Sequence, residues 1–489
     1  MSALILIFAA MVLALWLGIQ ARRGRDMTLE QWTVGGRGFG TLLVFLLMAG
    51  EIYTTFTFLG ASGFAYGLGA PAFYILCYGS LAYIISYWLL PPVWRYAKAH
   101  GLFSQPDFFV RKYDSPALGV LVAIVGIIAL IPYLVLQLKG LGIIVETASY
   151  GAVGSTAAVW IGAVVVTIYV IISGVHGSAW TAVVKDTLIL LVVLFLGIYL
   201  PIHYYGGLGS MFQAIDAAKP GFLALPAKGQ SIAWFDSTVL LTALGFFCWP
   251  HSFASSYTAR DERIFRRNAI ILPLYQLILL FVFFVGFAAI LKVPGLTGPA
   301  IDLSLLRLSA ATFPPWVVGI VGAAGVLTAL VPGSMILITA STLLANNLYP
   351  GRKGAADANV SRLAKLLVPV VAVAAVYFTL QGGQTIVALL LMGYSFVTQF
   401  FPALVCSLMP RNPATREGAF CGILAGAATV AAISLTHSTL GTLFPTLPQW
   451  FRDLNVGIVA LGVNILVLAV VSAVTQSARQ APRTISSSR

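Results

Sequence analysis

LLMAGEIYTTFTFLGASGFAYG, residues 46–67, is apolar enough to lie in lipid, yet Gly50, Glu51, Thr54, Thr55, Gly60, Ser62 and Gly63 interrupt it. In hydrocarbon a backbone carbonyl freed from a helix must find a partner within the protein or face a wet cavity. A membrane helix broken in this way therefore marks a place where polar groups are presented. LTALGFFCWPHSFASSYTARDE, residues 241–262, repeats the feature with Gly245, Pro250, His251 and Ser252, the proline removing a donor and clashing with the preceding turn. Each interrupted segment opens a run of five apolar spans, over 41–205 and 235–409. That is the spacing expected of two inverted repeats whose broken first helices meet at the membrane midplane.

Composition agrees with a membrane setting, since 59% hydrophobic against 9% charged residues over 489 positions lies outside the range of water-soluble domains. A spanning helix needs about 20 apolar residues. Thirteen such stretches are expected, near 2–20, 41–67, 70–94, 117–146, 153–174, 179–205, 235–258, 268–292, 313–347, 361–380, 383–409, 417–437 and 455–474. The chain then divides into a leading helix and loop (1–40), a first repeat (41–205), an extracellular loop (206–234), a second repeat (235–409), two trailing helices (410–475) and a tail (476–489) expected to be disordered. The first stretch has no basic n-region and is followed by Arg22, Arg23 and Arg25, which makes it a retained helix and not a cleaved leader.

The net charge of +13 is a topology signal. Alternating the spans from an outside N-terminus leaves only Lys219, Lys228, Lys292, Arg307 and Arg452 outside and gathers the other loop lysines and arginines, Arg352 and Lys353 included, on the cytoplasmic face with the C-terminus. This distribution argues against nucleic acid as a partner; the expected location is the cytoplasmic (inner) cell membrane. Cys77, Cys248, Cys406 and Cys421 are dispersed singly, so no metal site or disulfide framework is expected. Nothing resembles a phosphate-cradling loop, which removes support for an ATP-driven pump. No enzyme activity and no cofactor are expected.

Several segments resemble the sodium:solute symporter family. GFFCWPHSFASSYTARDERIFRRNA (245–269) is similar to that family's broken sixth core helix, and ISGVHGSAWTAVVKDTLIL (172–190) to its fifth. IPYLVLQLKGLG (131–142) is similar to the third, and SMILITASTLLANNLYP (334–350) to the end of the eighth. The resemblance implies an all-α LeuT-type fold of five plus five core helices in inverted repeat, with one helix leading and two trailing. In members that use sodium, it implies an ion held between core helices one, five and eight by backbone carbonyls, a Ser-Thr pair on helix eight and commonly an Asp after Trp-Thr on helix five. Oxygen ligands suit such a hard cation. Here Ala182 follows Trp180-Thr181, and aligning through Asn347-Leu348-Tyr349 puts Val331 and Pro332 in place of the Ser-Thr pair. None of the three offers a side-chain oxygen.

Lys185 lies one turn beyond Ala182, and a charge at mid-bilayer costs roughly 2.5–3.5 kcal/mol, so it is normally paired and functional. Lysines held out of water can titrate near neutrality. Proton-coupled amino-acid transporters of the same general fold use a helix-five lysine, so by analogy the Lys185 ammonium takes the cation's place; the alternative is a lysine snorkelling to the cytoplasmic boundary. Gly50, Tyr53, Glu51, Asp186 and Thr328 complete the candidate coupling site, with Glu51 the expected partner of the lysine and Asp186 directed about 100° away. Lys139, two residues from Gln137 on the third core helix, is the candidate cation for an anionic substrate, the alternative being a permanent ion pair with Glu51 or Asp186. Thr54, Thr55, Thr242, Phe246, Trp249, His251, Tyr394 and Gln399 are the remaining substrate-site candidates; polar contact between helices explains Tyr394 and Gln399 equally well.

Lys139, the Lys185-Asp186 pair and Trp249-Pro250-His251 most resemble the bacterial monocarboxylate permease branch. That resemblance implies import of lactate, pyruvate or a similar short acid, with alanine included in some members. The expectation is a monomeric, proton-coupled importer. The alternatives are a sodium symporter for another organic acid or an amino acid such as proline, or for pantothenate, and a transporter-like sensor.

Overall fold

A computed structural model describes residues 2–349 and 357–480. Arg352, Lys353 and the end of the expected tail, 481–489, lie outside the described residues. Among those described the chain is helical, with one isolated bridge between Phe39 and Ala259. Ten of the described helices are long and apolar enough to cross a membrane, or eleven if one bent pair is a single span. Large apolar side chains such as Trp88, Leu366 and Leu466 are 62–67% exposed, which suits contact with lipid and would be an aggregation liability in water.

The helices that position the site are α1 (Ser2–Arg22), α2 (Thr41–Gly50), α3 (Phe56–Leu68), α4 (Tyr74–Ala99), α5 (Pro116–Ala148), α6 and α7 (155–173 and 175–205), α8 (Ile232–Gly245), α9 (Pro250–Ser256), α10 (Arg263–Ala289), α11 (Pro315–Thr342), α12 (Asp357–Gln381) and α13 (Ile386–Leu408). Two trailing helices, α14 (Arg416–Leu435) and α15 (Val456–Gln480), follow. The last runs to Gln480, so the start of the expected disordered tail is helical.

The count of thirteen expected spans treats 153–174 and 179–205 as two helices. They form one 51-residue helical stretch whose only non-helical residue is Gly174, at φ 53° and ψ −151°. Tyr169 Oη nevertheless donates to Thr181 Oγ1 at 2.8 Å, whereas 12 residues of unbroken helix would hold them ~18 Å apart. The chain therefore folds back at Gly174. A side chain there would meet Trp32, whose ring lies 2.5 Å from the place a Cβ would occupy. The expected span 41–67 is likewise two short helices, α2 and α3, on either side of an unwound centre.

In that centre threonine side chains replace lost helix bonds. Thr57 Oγ1 accepts from the Thr54 amide at 3.0 Å and donates to the Ile52 carbonyl at 2.7 Å, while Thr54 Oγ1 accepts from the Phe56 amide at 3.1 Å. The second break spans a short turn, Phe246–Cys248, and an extended Trp249, after which Pro250 begins α9 at the one helical position where a missing N–H is harmless. α8 and α9 are bent by 53°. The two broken spans are tied together at one end: the Phe39 amide donates to the Thr258 carbonyl at 3.0 Å, and the Arg260 amide to the Phe39 carbonyl at 3.1 Å. α11 is buried almost throughout and forms the centre against which α1, α5 and α7 pack.

Candidate functional site

Accounting for the carbonyls freed at the first break locates the site. The Met48 carbonyl accepts from Tyr83 Oη at 3.1 Å, the Glu51 carbonyl from Tyr133 Oη at 3.0 Å, and the Tyr53 carbonyl from Lys185 Nζ at 3.1 Å. Three other helices thus supply donors that a continuous helix would not need. Lys185 is fully buried. Its ammonium also lies beside Gly50, where an added Cβ would sit 3.0 Å from Nζ.

The lysine's counter-ion is its sequence neighbour. Lys185 Nζ is 2.8 Å from Asp186 Oδ1, and that carboxylate lacks an aligned hydrogen bond, so the contact is an ion pair while the directed bond goes to Tyr53. Adjacent helical residues diverge by about 100° at Cα, but a four-carbon stem curls far enough to cancel the divergence. Glu51, the expected partner, accepts instead from Ser255 Oγ of α9 at 2.5 Å. Its other oxygen, Oε2, is buried without a partner.

Ala182 and Val331 meet Leu46 of α2 in a buried apolar contact. It joins α2, α7 and α11 with no side-chain oxygen from these three residues. One turn away on α7, Ser178 and Ser334 share a hydrogen bond of 2.7 Å. Thr328 is buried but donates to the Gly325 carbonyl of its own helix at 2.6 Å, which uses its hydroxyl locally.

A second group faces the start of α3. Gln137 Oε1 accepts from the Thr55 amide at 3.4 Å, and Gln137 Nε2 and Thr55 Oγ1 are both buried without a partner. Two unused donors thus adjoin the N-terminal end of a half-helix, where the helix dipole also favours negative charge. The approach depends on Gly140, since a Cβ there would lie 1.7 Å from Thr55 Cγ2. Tyr133, one turn before Gln137 on the same face of α5, leads into an aromatic cluster. Its ring centroid is 4.9 Å from that of Trp249 and 5.2 Å from that of His251, and Trp249 is 5.3 Å from Tyr394. Tyr78 and Phe246 extend the same cluster.

Lys139 does not face these groups. Its ammonium donates to Asp302 Oδ2 and to the Gln384 carbonyl, both at 2.7 Å, and Asp302 Oδ2 also accepts from the Ile386 amide at 3.0 Å. The expected substrate cation is therefore engaged with the 298–303 segment and the start of α13, because Asp302, an acid absent from the sequence expectation, is fully buried there. Burial raises the Asp302 carboxyl above the ordinary carboxylate range, with Lys139 opposing the shift. Gln399 is also elsewhere: it donates to the Ser395 and Gly457 carbonyls and accepts from Asn464, which places it against α15. Thr242 gives its hydroxyl to the Thr238 carbonyl at 2.6 Å.

Sequence reasoning missed Tyr133, Tyr83, Ser255, Gly140 and Asp302. Only Asp302 carried an independent signal, as an acid within an apolar segment after Gly298-Pro299. The others differ in no local pattern from ordinary membrane-helix residues.

Residues 32–426 match the family model described as the Sodium:solute symporter family. The uncharacterized symporter YhjB of Bacillus subtilis is 66% identical over 481 residues, with 98% of each chain covered. A monocarboxylate transport permease protein of Rhizobium johnstonii is 30% identical over 446 residues, covering 87% of this chain and 88% of that one. Among solved structures, the substrate-bound outward-open state of a Na+-coupled sialic acid symporter superposes with a TM-score of 0.77 at 15% identity, covering 97% of this chain and 98% of that one.

Proposed function

The chain belongs to the sodium:solute symporter family and has a LeuT-type helical fold, which makes it a membrane transporter of small solutes and not an enzyme, and on that premise we propose that it moves short-chain monocarboxylates such as lactate or pyruvate together with protons. The observation that carries the coupling is the buried Lys185 ammonium, 3.1 Å from the Tyr53 carbonyl at the break, beside an apolar contact of Leu46, Ala182 and Val331. Protonated, Lys185 holds α7 to the break between α2 and α3 and balances Asp186. Deprotonated, it loses the charge that makes both contacts favourable, and the elements separate toward the side on which substrate leaves.

The substrate class rests on the unused donors Gln137 Nε2 and Thr55 Oγ1, which suit a carboxylate at a half-helix N-terminus, and on the monocarboxylate permease among the relatives. In this reading the acid is met by neutral donors and not by Lys139. A sodium-coupled reading has one observation in its favour, the Ser178–Ser334 hydroxyl pair between α7 and α11. Proteoliposomes given separate proton and sodium gradients distinguish the two. Lactate uptake is expected to follow an inward proton gradient without sodium, and uptake that requires sodium and ignores pH refutes the proposal.

A further inference from the structure

A recess of about 620 Å³ lies at the arginine-rich end of the bundle, between residues 26–29, the end of α6 and the start of α12. Its lining includes Ser361, Arg362 and Lys365, with Asp26 as the opposing charge. Arg22, at the end of α1, acts electrostatically on Lys365, so positive charge prevails. Ser361 is 4% exposed and its Oγ has no hydrogen-bond partner, a buried donor presented to the cavity. Lys365 Nζ donates to the Met27 carbonyl at 3.3 Å and retains further donors.

The remaining walls identify the ligand. Ile171 and Leu366 line the same cavity and are 37% and 62% exposed; both sit on spans that cross the membrane, so the cavity opens onto lipid. A cationic recess with a buried hydroxyl at the membrane boundary, continuous with an apolar flank, is complementary to a phosphate carrying acyl chains. We propose that this cavity binds the headgroup of an anionic glycerophospholipid, with the phosphate between Arg362, Lys365 and Ser361 and the acyl chains along Ile171 and Leu366. The bound headgroup joins the 26–29 segment to α12. That segment leads through Trp32, which donates to the Val170 carbonyl at 3.1 Å, toward α2.

The test uses the full chain in detergent with added phosphatidylglycerol, phosphatidylcholine or inorganic phosphate. Thermal midpoint and lipid retention in native mass spectrometry are the readouts. Phosphatidylglycerol is expected to raise the midpoint and to be retained, with phosphatidylcholine and phosphate doing neither. Ser361→Ala/Arg362→Gln is expected to weaken retention roughly fivefold or more, from the loss of one near-surface charge. It leaves Lys365 and its bond to Met27 in place, and its midpoint without lipid serves as the folding control. Equal effects of the two lipids, full retention by the variant, or a rise produced by phosphate alone would overturn the proposal, the last by making this a small-anion site.

Discussion

Replacing Lys185 with alanine separates the lysine's part in coupling from its part in stability. Alanine leaves the Asp186 carboxylate, 3% exposed, without its counter-charge 2.8 Å away, and leaves the Tyr53 carbonyl without its donor. Breaking a buried pair costs about 3–5 kcal/mol when one partner goes, whereas removing both charges is close to neutral. Lys185→Ala is therefore expected to melt well below the native protein, and Lys185→Ala/Asp186→Asn to recover most of the loss. In transport both variants lose the proposed proton carrier. In the proposed mechanism Lys185 carries one proton per cycle, so a gradient of one pH unit, worth about 1.4 kcal/mol, would limit accumulation of a monocarboxylate to roughly tenfold. Labelled lactate is measured in proteoliposomes with the membrane potential clamped at zero, and uptake by protein-free liposomes is subtracted because the neutral acid crosses lipid unaided. The native protein should approach the limit and both variants should stay near unity, while exchange of internal for external lactate persists. Lys185→Arg should also fail, since arginine does not release its proton. A folded alanine variant that still concentrates lactate tenfold refutes the assignment of the proton to Lys185.

Gly140→Ala should lower lactate affinity about ten- to a hundredfold, because the new Cβ would overlap Thr55 Cγ2 and overpacking of this kind costs roughly 1–3 kcal/mol; unchanged calorimetric binding would show that Thr55 is remote from the acid. Gln137→Leu removes an unused buried donor and should raise the Kd about tenfold or more if a carboxylate accepts from it, with no change assigning Gln137 to packing alone. Lys139→Gln should leave affinity for the acid nearly intact but destabilise the fold by about 3–5 kcal/mol, since it strands the buried Asp302. Thermal melts of Lys139→Gln with and without Asp302→Asn check this, and a large loss of lactate affinity in a stable Lys139→Gln protein would return the lysine to the substrate.

Hydropathy and punctuation determined the architecture in advance. A lipid-facing chain must satisfy its backbone within itself, so long apolar runs become helices whatever surrounds them, and Gly50, Thr54, Thr55 and Pro250 mark the breaks through local chemistry alone. The absence of oxygen at Ala182, Val331 and Pro332 was legible for the same reason, because a missing side-chain atom is missing in any fold. Partners were decided only by the tertiary structure. Lys185 pairs with Asp186 and not Glu51, and Lys139 with Asp302 across 163 residues of chain, because a long flexible stem leaves several acids within reach and the packing of helices selects one. The fold-back at Gly174 and the donors Tyr83 and Tyr133 at the first break depend likewise on which helices lie side by side, a relation that periodicity along one helix does not encode.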